Sequence, residues 1–434
     1  MAKQRLIKNF FSLASVQVAN YILPLIVLPY LARVIGVEKF GAVAFAQAIA
    51  AYFILLSVFG FNLYGPREVA AAREDPDRLR RVFWSIFYAR IFLGLVALVL
   101  FALLVSAVPR FRAEILLLAF SFGYVIGDIL FPLWFFQGVE RMGYIALSHF
   151  AVRILYTAAV FTFIREPSHY VLVPLLLSLS QILIGLVGGV VVLLTFKVAF
   201  RRPDPSEIRR VLSRSFILFI SNISSGLYTK VPPILLGFFA GDIYVGFYAA
   251  AEKLYYAGIG LQGQVGQTLY PHISREAARN ADRQKTLRLV HKAFLVTMAV
   301  AVPAALAAFL LSGPLIRLIY GPEFTGAAVV LKIFSFAFII IGMSNVFGVQ
   351  TLLTFNMSRE YAFSILAGGA VSLVLGIFLI PAFQHVGAAL SYLIAECCVA
   401  AAMMAVLSSR GIGFFRGMRP AALVEEMFGR KRKA

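Results

Sequence analysis

The sequence predicts an all-α polytopic membrane protein of twelve transmembrane helices, and three observations predict it. Of the 434 residues 61% are apolar and 14% charged, with a mean hydropathy of +0.87; soluble domains are roughly half apolar and a quarter charged. The apolar residues fall into runs of about 20 residues or more, the length a helix needs to cross hydrocarbon. Lys and Arg together number 40 against 20 for Asp and Glu, and the cations gather in alternate breaks between the runs. This composition excludes a soluble enzyme, a disulfide scaffold and a disordered chain.

In chain order the runs lie at 10–32, 40–64, 82–107, 115–136, 145–164, 170–196, 215–239, 244–271, 293–319, 327–354, 361–381 and 387–408. They must be helices, because an unclosed strand leaves its backbone unsatisfied in lipid, and they lack the short alternation of a membrane barrel. The first run follows Lys3, Arg5 and Lys8, as a signal peptide would. It outruns a signal core and carries Gln17, Asn20, Pro24 and Pro29, so it reads as a retained first span. In the seventh run Ser215, Asn222, Gly226, Thr229, Lys230 and Pro233 share one sector of the helical wheel. That stripe reads as the lining of a hydrated cavity, with a helix break expected at Pro232-Pro233. The eighth run contains Gly258-Ile-Gly260-Leu-Gln-Gly263, which matches a dinucleotide fingerprint in form only: no strand–turn–helix context surrounds it. Small residues there let helices approach closely. Cys397 and Cys398 in the last run are adjacent, unsuited to pairing, and read as small apolar residues. No catalytic or metal-ligand spacing occurs, so no cofactor and no enzyme activity are expected.

Counting cations by side sets the orientation. With the N-terminus inside, the inner segments hold 29, among them Arg78, Arg81, Arg210 and Arg214, and the outer ones six: Arg33, Lys39, Arg110, Arg112, Arg165 and Arg317. Both termini are therefore expected in the cytoplasm. The basic balance encodes topology and attraction to anionic lipid, and no nucleic-acid partner is needed.

An internal repeat divides the chain. At an offset of 205, Gly36 and Gly41 fall on Gly241 and Gly246, Gln17 on Asn222, Asn20 on Ser225 and Gln47 on Glu252. Two six-helix bundles follow, 1–204 and 205–409, then a basic tail 410–434, with a cavity expected between the bundles.

Charges inside spans are costly and normally face a cavity or a partner. Here they are Arg90, Asp128, Arg153, Lys230, Glu252, Lys253, Lys332 and Glu396, five cations against three carboxylates. An excess of cations suits an anionic cargo, phosphate above all. Arg90, Arg153, Lys230, Lys253 and Lys332, with Asn222 and Thr229, are the candidate binding residues. Asp128, Glu252 and Glu396 either take a coupling ion or balance neighbouring cations; Asp128 is equally placed to brace its helix end. Trp134, Tyr228, Tyr255 and Tyr256 either stack on sugar faces or pack as anchors.

The segment Trp134-Phe-Phe-Gln137-Gly138-Val-Glu140-Arg141-Met142-Gly-Tyr144-Ile145 resembles the W-[LFY]-[FY]-Q-G-x-E-x-M-x-Y-I signature of polysaccharide flippases. The stretch from Leu31 to Gly41 is similar to their first turn, and Tyr320-Gly321-Pro-Glu323-Phe324, Ile380-Pro381 and Gly387-Ala388-Ala389 are typical of them. The resemblance is to Wzx-type oligosaccharide flippases of the multidrug/oligosaccharidyl-lipid/polysaccharide (MOP) exporter superfamily. It implies a V-shaped, MATE-like bundle around a central cavity in a bacterial plasma membrane. There it would move undecaprenyl-pyrophosphate-linked oligosaccharides from the inner to the outer leaflet by alternating access. Membrane lipids, a coupling proton or sodium ion and polysaccharide polymerase machinery are the implied partners. The related lipid II flippases have fourteen helices and an arginine early in the first span. This chain has only Arg33 at that span's outer end, which disfavours lipid II as cargo. The rival readings are a cation-coupled multidrug exporter of the same superfamily and a membrane-embedded glycan polymerase or glycosyltransferase. The short outer breaks leave no exposed domain for the second.

Overall fold

The computed structural model describes residues 2–202, 204–279 and 283–415, with side chains from Ile26 onward apart from scattered helix positions. Among the described residues every regular element is helical. Thirteen α-helices follow in order: α1 Ala2–Val58, α2 Phe61–Ala72, α3 Pro76–Ala107, α4 Pro109–Ala113, α5 Ile115–Leu130, α6 Leu133–Gly138 and α7 Met142–Phe163. After these come α8 Leu172–Leu194, α9 Pro205–Phe239, α10 Asp242–Arg279, α11 Arg283–Ile319, α12 Ala327–Asn345 and α13 Ser358–Ser409. Seven helical segments among the described residues are long and apolar enough to cross a membrane.

Two of the helices are each two helices joined. In α1 the backbone leaves helical geometry at Gly36 (φ 73°, ψ 170°), inside the break expected between the first two runs. Only glycine adopts that conformation without strain. Its repeat counterpart Gly241 (φ 97°) separates α9 from α10 in the same way. In α13 the break is at Gln384 (φ 49°), three residues after Pro381. The two arms of α13 fold back on each other: Glu360 at its start meets Arg410 just past its end at 2.6 Å. A Cβ on Gly368 would lie 2.2 Å from Val399 Cγ2, so the arms touch through glycine.

Two sequence expectations need correction. The run 115–136 does not continue as one helix: α5 ends at Leu130, and Pro132, which has no N–H to donate, precedes the separate α6. By contrast α9 runs unbroken through Pro232 and Pro233, since neighbouring helices hold a membrane helix together where prolines remove its donors.

The chain forms two compact units, Met1–Gly226 and Leu227–Ala434. The first unit runs past residue 204 into α9. Asp204 begins that helix by accepting a hydrogen bond from Ser206 N at 2.8 Å, which holds its carboxyl below the usual range. A Cβ on Gly60 (φ 79°) would lie 2.6 Å from Leu218 Cβ, and Phe59 stacks on Phe219 at 4.3 Å, so this part of α9 packs on the α1–α2 turn. The first half of the signature segment is core: Trp134, Phe135 and Phe136 are buried in α6, with Trp134 against Gly65 of α2, while Glu140, Arg141 and Tyr144 are exposed. A fully buried Trp134 packs and does not reach a sugar.

Helices α5 and α8 cross through reciprocal glycines. A Cβ on Gly127 would come within 2.5 Å of the Gln181 and Ile182 backbone, and one on Gly185 within 2.8 Å of the Gly127 carbonyl. Backbone cannot give way as a side-chain tip can. Gly127→Ala is therefore expected to destabilise by about 1–3 kcal/mol. Gly189→Ala, with open space around it, should be neutral or stabilising by up to about 1 kcal/mol. Thermal unfolding of the two variants in detergent checks the contrast.

Candidate functional site

In the first unit the structure divides the expected site residues into two groups. Arg90 of α3 is buried, 2% exposed. Its guanidinium donates to Asp128 Oδ2 at 2.5 Å and to the Phe131 carbonyl at 3.0 Å. Asp128 lies in the last turn of α5, and Phe131 is the residue at which that helix stops. The arginine thus satisfies a carboxylate and an end carbonyl in a setting where an unpaired group is expensive.

Arg153 of α7 stands apart from that pair. It lines a cavity of about 290 Å³ together with Gln47, Ser121, Tyr124 and Ser178. No acidic residue lines this cavity, and Arg153 makes no ion pair among the described residues. Its Nε is buried without a hydrogen-bond partner. The other polar groups there are largely committed, since Ser121 donates to Leu117 O and Ser178 to Phe120 O. A forked donor with a buried, unpartnered N–H and no carboxylate in its cavity suits an anion. Asn222 lies on α9 in this unit; its side chain is outside the described residues.

In the second unit Lys230 of α9 sits with Glu252 and Lys253 of α10, within electrostatic reach of both. Its Nζ lies 5.9 Å from the ring centre of Tyr256. Thr229 precedes it, half-buried. Glu252 therefore lies in the field of both cations. Glu252 and Lys253 are neighbours on the helix and point about 100° apart, which spreads the charge over two faces of α10.

Glu396 of α13 is 4% exposed and hydrogen-bonded to Tyr392, one turn earlier. The Tyr392 hydroxyl lies 3.4 Å from that of Tyr255, whose ring centre is 5.5 Å from that of Tyr256. A chain of phenols and rings thus links Glu396 to the ring beneath Lys230. Glu396 has no cation partner among the described residues. The sequence singled out Glu396 and Tyr255 but missed Tyr392; its place four residues before a membrane carboxylate was the available signal.

Lys332 is not brought to this cluster. It is exposed on α12 beside Val329 and Phe336, themselves 46% and 52% exposed, with its Nζ 5.9 Å from the ring centre of Phe309. The glycine triplet of α10 lies inside a continuous helix, where Gly258 meets Phe338 of α12. Among the described residues no group of His, Cys, Asp and Glu could hold a metal ion.

Residues 6–276 match the family model described as "Polysaccharide biosynthesis protein". The chain belongs to that family. It is 30% identical over 402 residues to the "Putative O-antigen transporter" of Escherichia coli (strain K12), covering 93% of this chain and 96% of that protein. Relatives of this kind are transporters and flippases, not enzymes. The fold is also that of solved membrane transporters. A lipid II flippase, MurJ, in its inward closed conformation aligns with a TM-score of 0.67 at 16% identity, over 93% of this chain and 87% of that one. An inward-facing multidrug resistance MATE family transporter of the MOP superfamily gives 0.72 at 12% identity, over 94% of this chain and all (100%) of that one. At these identities the likeness concerns the fold alone. The chain is an all-helical, multi-pass membrane protein of the polysaccharide flippase type.

Proposed function

We propose that this chain is a flippase for oligosaccharides linked to undecaprenyl pyrophosphate. It carries them from the inner to the outer leaflet of a bacterial plasma membrane by alternating access, for assembly of a cell-surface polysaccharide. Twelve crossings in two six-helix halves, 1–204 and 205–409, with both termini cytoplasmic, form the proposed architecture. The matching positive-φ turns at Gly36 and Gly241 and the folded-back α13 support it. The tail from residue 416 lies outside the described residues.

The observation that carries the reading is a membrane arginine, Arg153, with no carboxylate in its cavity. Arg90 is committed to Asp128. Arg153 keeps its Nε buried without a hydrogen-bond partner, and Lys230 lies within electrostatic reach of Glu252 and Lys253. A diphosphate drawn through hydrocarbon without counter-charge would cost tens of kcal/mol by ion-transfer estimates. Arg153 in the first unit and Lys230 with Lys253 in the second supply that counter-charge, and Thr229 adds a hydroxyl for the sugars. Lys332, on the exposed face, takes no part. The prenyl chain stays in lipid while the glycan travels in water.

Glu396 is the proposed site for a coupling proton. Asp128 and Glu252 face cations, whereas Glu396 holds a buried carboxyl against phenols alone. Its protonation would remove the charge that Tyr392 caps and pass the change along the phenol chain toward Lys230. Glu396→Gln should support transport that no longer responds to an imposed pH gradient. Retained gradient stimulation in that variant would remove Glu396 from the coupling path.

Removing the chain from its host tests the reading as a whole. Carrier-linked repeat units should accumulate on the cytoplasmic leaflet and disappear from the outer one. An unchanged supply of outer-leaflet repeat units would overturn the flippase assignment.

A further inference from the structure

Four arginines that read in the sequence only as cytoplasmic topology charges converge on one pocket. Arg78 and Arg81 from the start of α3 and Arg210 and Arg214 from the start of α9 line a space of about 360 Å³, with Glu68 of α2 and Glu207 of α9. All lie within the first compact unit. Glu207 is already engaged, accepting from Ser85 Oγ at 3.1 Å and facing Arg201 at 3.5 Å. None of the four arginines makes an ion pair among the described residues. Arg210 and Arg214 both lie within electrostatic reach of the Tyr64 hydroxyl, which also lines the pocket.

The pocket has two chemically different kinds of lining. Val82, Ile86 and Val211 add apolar lining beside the charged groups. Close by in sequence, Leu63 and Ile217 are 51% and 78% exposed, as residues that face lipid are. A charged hollow with apolar lining at the end of the span Pro76–Ala107 suits a ligand with an anionic head and an apolar body.

We infer that Arg78, Arg81, Arg210 and Arg214 form a binding site for a lipid phosphate, separate from the cavity that holds Arg153. Four guanidinium groups in one hollow match the several oxygens of a phosphate or diphosphate by forked, charge-assisted hydrogen bonds. The volume is that of a site that takes a whole small headgroup. The inference rests on the membrane-spanning reading of the fold and not on the identity of the transported glycan.

Thermal unfolding of the purified full chain in neutral detergent tests it, with four probes added in turn. These are phosphatidylglycerol, undecaprenyl diphosphate, inorganic diphosphate and, as the neutral control, phosphatidylcholine. Phosphatidylglycerol or undecaprenyl diphosphate should raise the unfolding midpoint, and phosphatidylcholine should not. In the Arg81→Gln/Arg210→Gln variant the concentration giving half the shift should rise at least tenfold, since each lost charged hydrogen bond is worth about one decade of affinity or more. Arg209→Gln, on the same helix but outside the pocket, should respond as the parent does and controls for net charge and folding. A larger effect of undecaprenyl diphosphate than of phosphatidylglycerol identifies a docking point for the carrier lipid; the reverse identifies a bulk phospholipid site. Equal protection by inorganic diphosphate would overturn the lipid requirement. An unchanged half-shift concentration in the double variant would overturn the site.

Discussion

Arg153→Gln is expected to slow transport of the lipid-linked oligosaccharide by about ten- to a hundredfold, while leaving the unfolding midpoint near that of the parent. Both halves of this result follow from the same geometry. Arg153 makes no ion pair, and its Nε is buried without a partner in a cavity lined by no acid. Removing its charge breaks no bridge, so the fold loses little. A diphosphate placed there loses charge-assisted hydrogen bonds of about 1.5–3 kcal/mol each, which is one to two decades of rate or affinity. Arg153→Lys keeps the charge but not the planar fork and should fall between the two. Initial rates in proteoliposomes, set beside detergent melting curves, separate the effects. A variant that unfolds and still transports at the parental rate per folded molecule would remove Arg153 from the site.

The opposite pattern is expected at Arg90. Arg90→Met should lower stability by about 3 kcal/mol, the lower end for breaking a buried pair, because Asp128 keeps a quarter of its side chain exposed. The change strands both Asp128 and the Phe131 carbonyl, to which Arg90 donates at 2.5 and 3.0 Å. The Arg90→Met/Asp128→Leu double variant should recover much of the loss, since no unpaired charge remains. Melting curves of the two single variants and the double variant form the cycle that measures this coupling. Equal, additive losses would show that the bridge does not hold the end of α5.

The contrast between these two arginines shows what a linear sequence can and cannot convey. Both stand in apolar runs and look alike there. Only the three-dimensional packing of α3 on the end of α5 tells that Arg90 is spent on Asp128, while Arg153 is not. Lys332 teaches the same lesson: its span was legible, but not the rotation that turns it to the exposed face beside Phe336. The helical class, the breaks at Gly36 and Gly241 and the family signature were all readable, because hydropathy, glycine and local motif are properties of neighbouring residues. The stop after Leu130 is marked by Pro132, but the hydropathy of the run continues across it. The Tyr255–Tyr392 contact and the four-arginine pocket join segments 137 and up to about 136 residues apart, and no local pattern reports such meetings. Their charges were visible as topology signals, and folding gives them a second meaning.

The most direct test of the central claim is a leaflet assay on the purified chain. The protein is reconstituted into vesicles that carry undecaprenyl-diphosphate-linked oligosaccharide in the inner leaflet alone, and glycan exposure is followed with an impermeant lectin. The parent should expose the glycan at a rate well above protein-free vesicles, and Arg153→Gln should reduce that rate by tenfold or more. Exposure no faster than in protein-free vesicles, by a folded and correctly inserted chain, would contradict the account.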